Sequence, residues 1–315
     1  MNKTYLTMDV GGTNVNAGLV DGEGRILARR HFPTRTGRSQ HDLTIDMVAN
    51  LKELASEAPA GASPLGLAVG LPGWINYEEG VLVEAPNMPG WVNVPVVKIF
   101  SEALNMPVRL ENDSNMYALG EWSRGAGRGL HNLLVITLGT GVGGGLILND
   151  ELWYGSFSSA VEIGHIPIEP ENGAICGCGR RGCLETVASA TGMSRLGREW
   201  LAAGRPTIYT GSPEDLNTKV LHDLALEGDQ MALAVFRRAG EALGMILTGI
   251  INLLGLEGIV IGGGAARAMD FIEPRLWEIL SNHVVVTRPE RIKLLRCQLD
   301  EDAPLAGGAV LAGRL

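Results

Sequence analysis

Two stretches of this chain repeat one pattern about 130 positions apart. Asp9-Val-Gly-Gly-Thr-Asn14 runs on to Gly18-Leu-Val-Asp-Gly22, and Thr137-Leu-Gly-Thr-Gly-Val-Gly-Gly-Gly145 runs on to Leu146-Ile-Leu-Asn-Asp150. Each copy reads as a strand, a glycine-rich turn, a second strand and a polar turn. A chain that makes this unit twice, without a low-complexity segment or long linker between the copies, is expected to build two related α/β lobes packed together. Each lobe would then offer one glycine turn to a cleft. The 315 residues are enough for two domains with buried cores.

Alternating elements fit the same α/β reading. Tyr5 to Asp9, Val15 to Val20 and Arg25 to His31 read as a strand meander, and Ser39 with Asp42 starts a helix carrying Leu43, Met47, Leu51 and Leu54. Leu65 to Val69, Val81 to Glu84 and Val108 to Glu111 read as strands, with helices over Val96 to Leu104 and Ser114 to Trp122. Leu133 to Thr137 and Gly145 to Leu148 are again strands. Helices are expected from Ala188 to Leu201 and from Asp229 to Leu254, then a last βα unit of Gly258 to Ile261 and Met269 to Leu280.

Composition narrows the function. Hydrophobic residues at 45%, charged residues at 19% and 43 glycines suit a folded α/β enzyme. A formal net charge of −9 argues against a nucleic-acid or anionic-membrane surface, which needs a concentrated positive field. The N-terminus interrupts any apolar run with Asp9 and two glycines, so no secretory signal is expected. Ala242 to Leu256 is apolar but short of the ~20 residues that span a bilayer, and reads as a buried helix. Four cysteines are too few for a disulfide scaffold, and a reducing, cytoplasmic location is expected.

Gly139-Thr-Gly-Val-Gly-Gly144 satisfies the G-x-G-x-x-G pattern, but the fingerprint needs a helix next, and Leu146-Ile-Leu-Asn-Asp reads as strand and turn. A dinucleotide site is therefore rejected, and neither turn ends as a Walker A loop. What remains is a pair of hairpin turns whose backbone N–H groups can approach phosphates, with Thr13, Asn14 and Thr140 as further donors. Gly262-Gly-Gly264 ends a strand before a helix and suits either nucleoside contact or close packing.

His165, Cys176, Cys178 and Cys183 form H-x10-C-x-C-x4-C, three thiolates and one imidazole that complete a tetrahedral set for Zn²⁺. Such a closed set is structural. Reduced core thiols or a Cys176–Cys178 bridge are the alternatives, the bridge strained at this spacing. Glu162 and Glu185 flank the set and would be drawn with His165 around one small volume, where carboxylates and imidazole suit a polyhydroxylated ligand; otherwise they are solvated loop charges. Asp113 follows a strand end in Glu111-Asn112-Asp113, where it could cap the next helix or act as a general base.

Taken in order, Asp9-Val-Gly-Gly-Thr13, Ala85-Pro-Asn-Met-Pro-Gly-Trp91, Glu111-Asn-Asp-Ser-Asn115, Leu138 to Gly145, Glu162-Ile-Gly-His165 and Cys176-Gly-Cys-Gly-Arg-Arg-Gly-Cys-Leu-Glu185 resemble the ROK family (repressors, open reading frames, kinases) of bacterial sugar kinases. The resemblance covers essentially the whole chain, and the cysteine motif is its most specific part. It implies an α/β, two-lobed, actin-like (ribonuclease H-like) ATPase fold with an interlobe active-site cleft, divided into 1–113 plus 302–315 and 114–301 with the zinc loop.

Carried over by motif, Asp113 is the expected base and Asp9 helps place Mg²⁺. Gly11, Gly12, Thr13, Asn14, Gly139, Thr140 and Gly141 are expected at the phosphates of ATP, and Gly262, Gly263 and Gly264 near adenosine. Gly73, Asn87, Asn112, Asp113, Glu162, His165 and Glu185 are expected to hold the sugar, His165 sharing itself between zinc and a hydroxyl. Many relatives carry a basic residue at the position of Asn14 and Pro-Glu at that of Leu256-Glu257. The first difference removes a charge-based contact with phosphate, and the second touches only a turn.

The expected activity is ATP-dependent phosphorylation of an aldohexose at its 6-hydroxyl, glucose first. N-acetylmannosamine, N-acetylglucosamine, mannose, allose and fructose are the alternatives. A sugar-responsive regulator is the rival from another class, but the first glycine turn begins at residue 11, leaving no room for a DNA reader. A zinc-ribbon binding module has only Arg180-Arg181 in its favour. A homodimer, or a tetramer, is expected from the resemblance.

Overall fold

The computed structural model describes residues 3–35, 37–59, 62–85, 88–156, 161–285 and 288–315. The chain divides into two compact units, Met1–Leu130 with Gly145–Ala160 and Gln298–Leu315, and His131–Gly144 with Val161–Cys297.

The first unit is built on β1 (Thr4–Val10), β2 (Asn14–Asp21) and β3 (Ile26–Pro33), an antiparallel meander. Helix α1 (Gln40–Ser56) follows, then β4 (Leu67–Leu71), a small antiparallel sheet of β5 (Trp74–Asn76), β6 (Val81–Glu84) and β7 (Val92–Val94), helix α2 (Val96–Leu104), β8 (Val108–Asn112) and helix α3 (Asp113–Ser123). The main sheet runs β3-β2-β1-β4-β8, with β4 parallel to both β1 and β8. The meander is thus as expected. Outer strand β3 alternates exposed and half-buried residues, whereas every residue of central β4 is buried, as a strand covered on both faces requires.

Ser39 caps α1 by accepting the Asp42 N–H at 3.2 Å, and Leu43, Met47, Leu51 and Leu54 turn one face into the core beside Leu6, Val69 and Phe100. Register then sets the strand ends: Asp9 lies opposite Gly70, Gly70 opposite Glu111, and Leu71 opposite Asn112. The acidic residues at the ends of β1 and β8 are thereby two strand spacings apart, roughly 10 Å along the hydrogen-bonding direction.

In the other unit, β9 (Leu133–Leu138) leads through the glycine turn into β10 (Val142–Leu148), whose residues from Gly145 onward belong to the first unit and pair there with β11 (Glu151–Leu152). Helices α4 (Glu185–Ala188), α5 (Ala190–Ala202), α6 (Thr218–Leu226) and α7 (Gln230–Leu254) follow. Strand β12 (Gly258–Gly262) lies parallel between β9 and β13 (Lys293–Arg296), with α8 (Met269–His283) packed on α7. Among the described residues no helix is long and apolar enough to cross a membrane. Helix α7 buries one face through Leu243, Leu247 and Ile251 and exposes Leu253, so Ala242 to Leu256 is only half the buried helix expected.

The last helix, α9 (Ala303–Ala312), returns to the first unit and packs on α3 and β1. A Cβ on Gly120 would fall 1.9 Å from Ala303 O, and one on Gly307 1.9 Å from Met116 O. Only glycine allows two helix backbones that close. This contact places α3 in the first unit, which therefore extends past the expected boundary at residue 113.

Two other expectations are corrected. The single helix expected over Ala188 to Leu201 is broken at Ser189, whose extended backbone lets its Oγ accept the Gly192 N–H at 2.9 Å and start α5 afresh. Strand β10 begins at Val142, three residues earlier than expected, because the glycines of the motif enter the strand themselves.

Candidate active site

In the first unit, β1 ends in Asp9 and a turn that closes on itself. The Gly11 N–H donates to Asn14 O at 2.9 Å, the Thr34 N–H to Thr13 O at 2.8 Å, and the buried Thr34 hydroxyl to Gly11 O at 2.6 Å. Carbonyls of the turn are thus engaged from behind, while the side chains of Thr13 and Asn14 stand exposed. A turn with its carbonyls tied back favours contact with an anion.

At the end of β8, Asn112 caps α3, its Oδ1 accepting the N–H groups of Ser114 at 3.0 Å and Asn115 at 3.3 Å. The expected capping role of Asp113 therefore belongs to its neighbour, and Asp113 is the first helical residue. Its Oδ1 accepts the Ser114 N–H at 2.8 Å, and it keeps a partly exposed edge. Desolvation nevertheless pushes its carboxyl above the ordinary range, opposed by the bonds from Ser114. Burial, followed by the nearby charge of Asp113, pushes Asp9 up to about 8. A buried carboxyl whose ionisation is further opposed by a second acid beside it forms a place where a cation is welcome.

Gly73 has φ +105°, and a Cβ there would fall 2.1 Å from Glu84 O, so its glycine is required by backbone contact. Asn87 lies outside the described residues. Sequence reasoning assigned no role to Glu111, Tyr77 and Tyr154. Glu111, fully buried, accepts hydrogen bonds from the hydroxyls of Tyr77 at 2.6 Å and Tyr154 at 2.7 Å, directly behind the Asn112-Asp113 step. The adjacency of Glu111 to Asp113 was the available signal; the tyrosines carry none.

In the second unit, the turn after β9 closes through Gly139 N–H to Gly141 O at 3.0 Å and is held by other segments. Ala190 N–H donates to Gly139 O at 2.9 Å, Thr191 Oγ1 to Thr140 O at 2.7 Å, and Val142 N–H to Glu185 Oε2 at 3.0 Å. A Cβ on Gly141 would lie 2.3 Å from that Glu185 oxygen, whereas one on Gly139 meets nothing within 4 Å. The strand after this motif removes the helix that a dinucleotide fingerprint needs, as expected.

One ligand atom from each of His165, Cys176, Cys178 and Cys183 lies within 4.8 Å of the others. Cys176 Sγ is 3.6 Å from His165 Nδ1, and Cys178 Sγ is 3.8 Å from Cys183 Sγ. The thiols are free, so the Cys176–Cys178 bridge is not formed. The hairpin that presents them is closed by the Cys176 N–H donating to Arg180 O at 2.8 Å and by a bridge between Ile175 and Arg181. Burial pushes the Cys176 and Cys183 thiols up, while for Cys178 the Arg180 backbone and the neighbouring sulfurs outweigh burial and pull it down. The donor set fits a soft, tetrahedral metal ion.

His165 turns Nδ1 toward the sulfurs and Nε2 toward Glu162, 3.8 Å from Oε2. Glu185 has both of its oxygens engaged. Its Oε1 accepts from the Cys176 thiol at 3.3 Å, a bond that exists only while that thiol is protonated and carries no metal, and its Oε2 accepts the Val142 N–H, so the segment just after Cys183 is tied to the glycine turn.

Strand β12 delivers Gly262 into Gly263, whose φ of +87° and Cβ position 2.6 Å from Leu138 O admit only glycine. Gly264 is open and lines a cavity of about 410 Å³ together with Thr218, Lys219, His222 and Arg267. That volume suits a nucleoside-sized guest. Sequence reasoning missed Thr218 and His222, although their spacing places both on one face of α6.

Together these units have the actin-like ATPase fold of sugar kinases. The model of the ROK family matches residues 5–314, and the chain belongs to that family. It is 35% identical to the glucokinase of Thermotoga maritima over 305 residues, 96% of this chain and 95% of the relative. Among solved structures it is similar to a ROK family glucokinase from Streptomyces griseus in complex with glucose and AMPPNP, at 30% identity and a TM-score of 0.80, covering 99% of this chain and 100% of the other. A ROK hexokinase from Thermus thermophilus follows at 29% identity and a TM-score of 0.82, covering 99% and 98%.

Proposed function

We propose that this protein transfers the γ-phosphoryl group of ATP to the 6-hydroxyl of an aldohexose, with glucose as the preferred acceptor. The observation that carries the reading is Asp113, a desolvated carboxyl that opens α3 directly after β8, a strand of the same sheet as the one that carries Asp9, in a chain aligned along nearly its whole length with glucokinases. Asp113 accepts the proton of the sugar 6-hydroxyl as the bond from that oxygen to the γ-phosphorus forms. The bond from the γ-phosphorus to the bridging oxygen breaks, and ADP leaves with its electron pair.

The backbone at Gly11, Gly12, Thr13 and Asn14 and at Gly139, Thr140 and Gly141 binds phosphates, and the cavity beside Gly262, Gly263 and Gly264 takes the adenosine. Asp9 helps to place Mg²⁺, which when bound offsets the charge of the phosphates. Asn87, Asn112, Glu162, His165 and Glu185 accept or donate hydrogen bonds at sugar hydroxyls, and Gly73 shapes the turn beside them. The Cys176, Cys178, Cys183 and His165 set holds a structural Zn²⁺. A tetrahedral ion with Zn–S bonds of about 2.3 Å separates its sulfurs by about 3.8 Å, and Cys178 and Cys183 stand 3.8 Å apart.

The protein is proposed to work in the cytoplasm as a homodimer. The test of function is a coupled ADP-release assay with ATP and Mg²⁺ across glucose, mannose, fructose, allose, N-acetylglucosamine and N-acetylmannosamine. Stimulation by glucose above the others is the expected result. Stimulation by a different sugar would move the acceptor, and no stimulation by any sugar would contradict the kinase reading.

A further inference from the structure

Glu111 is fully buried at the penultimate position of β8, and donors surround its carboxylate. Oε1 accepts from Tyr77 Oη at 2.6 Å, the Asn112 N–H at 2.9 Å and Asn115 Nδ2 at 3.0 Å, while Oε2 accepts from Tyr154 Oη at 2.7 Å. Two of these donors belong to the step that carries Asp113. Asn112 is the cap of α3 and Asn115 lies in its first turn, so one oxygen of Glu111 grips the residues on both sides of Asp113.

The other two donors arrive from distant segments. Tyr77 follows β5 and Tyr154 follows β11, and their rings meet edge to face with centroids 5.1 Å apart. Burial, then the charge of Glu111, pushes both phenols further up, so their hydroxyls stay protonated donors. Burying a carboxylate costs free energy that well-packed apolar residues would not, and full hydrogen bonding only offsets the cost. What the cluster adds is direction. Through the Asn112 N–H it fixes the Glu111–Asn112 peptide and through Asn115 the first turn of α3, the two sides between which the Asp113 carboxyl is aimed.

We propose that Glu111, locked by Tyr77 and Tyr154, is the positioning residue for Asp113. Through the two tyrosines, the Gly73–Tyr77 turn and the segment after β11 set the orientation of the base. This inference rests on the reading of Asp113 as the base of a sugar kinase.

The test compares metal-loaded wild type with Glu111→Gln, Tyr77→Phe, Tyr154→Phe, the double tyrosine variant and Asp113→Asn. Sugar-dependent ADP release and thermal melting are measured for each. Misplacement of the base predicts a kcat for Glu111→Gln lower by roughly 10- to 100-fold, with KM for ATP little changed. Each phenylalanine variant should lose less, and the double variant should lose less than the product of the two, because both hydroxyls act on one carboxylate. A residue that served only stability would lower the melting temperature and leave kcat per folded molecule unchanged. Wild-type kcat in folded Glu111→Gln and in the double tyrosine variant, beside an inactive Asp113→Asn, would overturn the positioning role alone. Full turnover in Asp113→Asn would overturn the base assignment and the positioning role together.

Discussion

The glycine turn after β1 is held from within its own meander: Asn14 closes it and Thr34, just past β3, ties back Gly11 and Thr13. The turn after β9 is held by segments more than forty residues further on, through Glu185, Ala190 and Thr191. Beside the first stand two carboxyls, Asp9 and Asp113; beside the second stands the His165 and cysteine cluster, which ends two residues before Glu185. A repeated motif therefore carries a shape, and its surroundings decide what the shape does. On the proposed reading, proton chemistry belongs to the first unit, and the second would depend on a metal for order.

The largest expected effect follows from this division. Asp113→Asn should cut turnover by about 10² to 10⁴-fold with the fold intact, as measured by sugar-dependent ADP release and melting. A similar loss of turnover in Glu185→Gln, at unchanged substrate binding, would break the contrast.

Removing the metal, by chelation or Cys178→Ser, should loosen the Cys183–Glu185 segment and with it the Val142 bond, raising hydrogen exchange at residues 139–142 by roughly tenfold or more and leaving residues 11–14 unchanged. Equal loosening of both turns would place their support elsewhere. In the wild-type background, Gly141→Ala must displace Glu185 and should destabilise by about 1–3 kcal/mol. Gly139→Ala meets open space and should change stability by less than about 0.5 kcal/mol while raising KM for ATP.

The smallest expected effect is in pH. An Asp9 carboxyl raised to about 8 stabilises the folded state most fully below the ordinary carboxylate range, and loses that contribution as pH rises through about 8. Mg²⁺ favours the ionised form, so the thermal shift given by Mg²⁺-ADP should be larger at about pH 9 than at about pH 6. A shift independent of pH would remove Asp9 from the cation's surroundings.

Much of this was legible in the sequence because it rests on local spacing. Strands β1, β2, β9 and β12, the Ser39 cap and the clustered His165, Cys176, Cys178 and Cys183 are set by residues close in the chain. Contacts between distant residues were not legible. The reach of Tyr77 and Tyr154 to Glu111 spans 34 and 43 residues, and the backbone contact of α3 with α9 depends on Gly120 meeting Ala303. Glu185 shows a mixed case: its place beside the cysteines was evident, but its bond to Val142 depends on how α4 meets β10. The break at Ser189 was hidden because helical periodicity runs across a cap that restarts the helix.

The most direct test of the central claim is to incubate the purified protein with glucose, ATP and Mg²⁺ and to locate the transferred phosphate by NMR. The account predicts glucose 6-phosphate, formed one for one with ADP. Release of ADP without sugar dependence, or phosphate on any other hydroxyl, would contradict it.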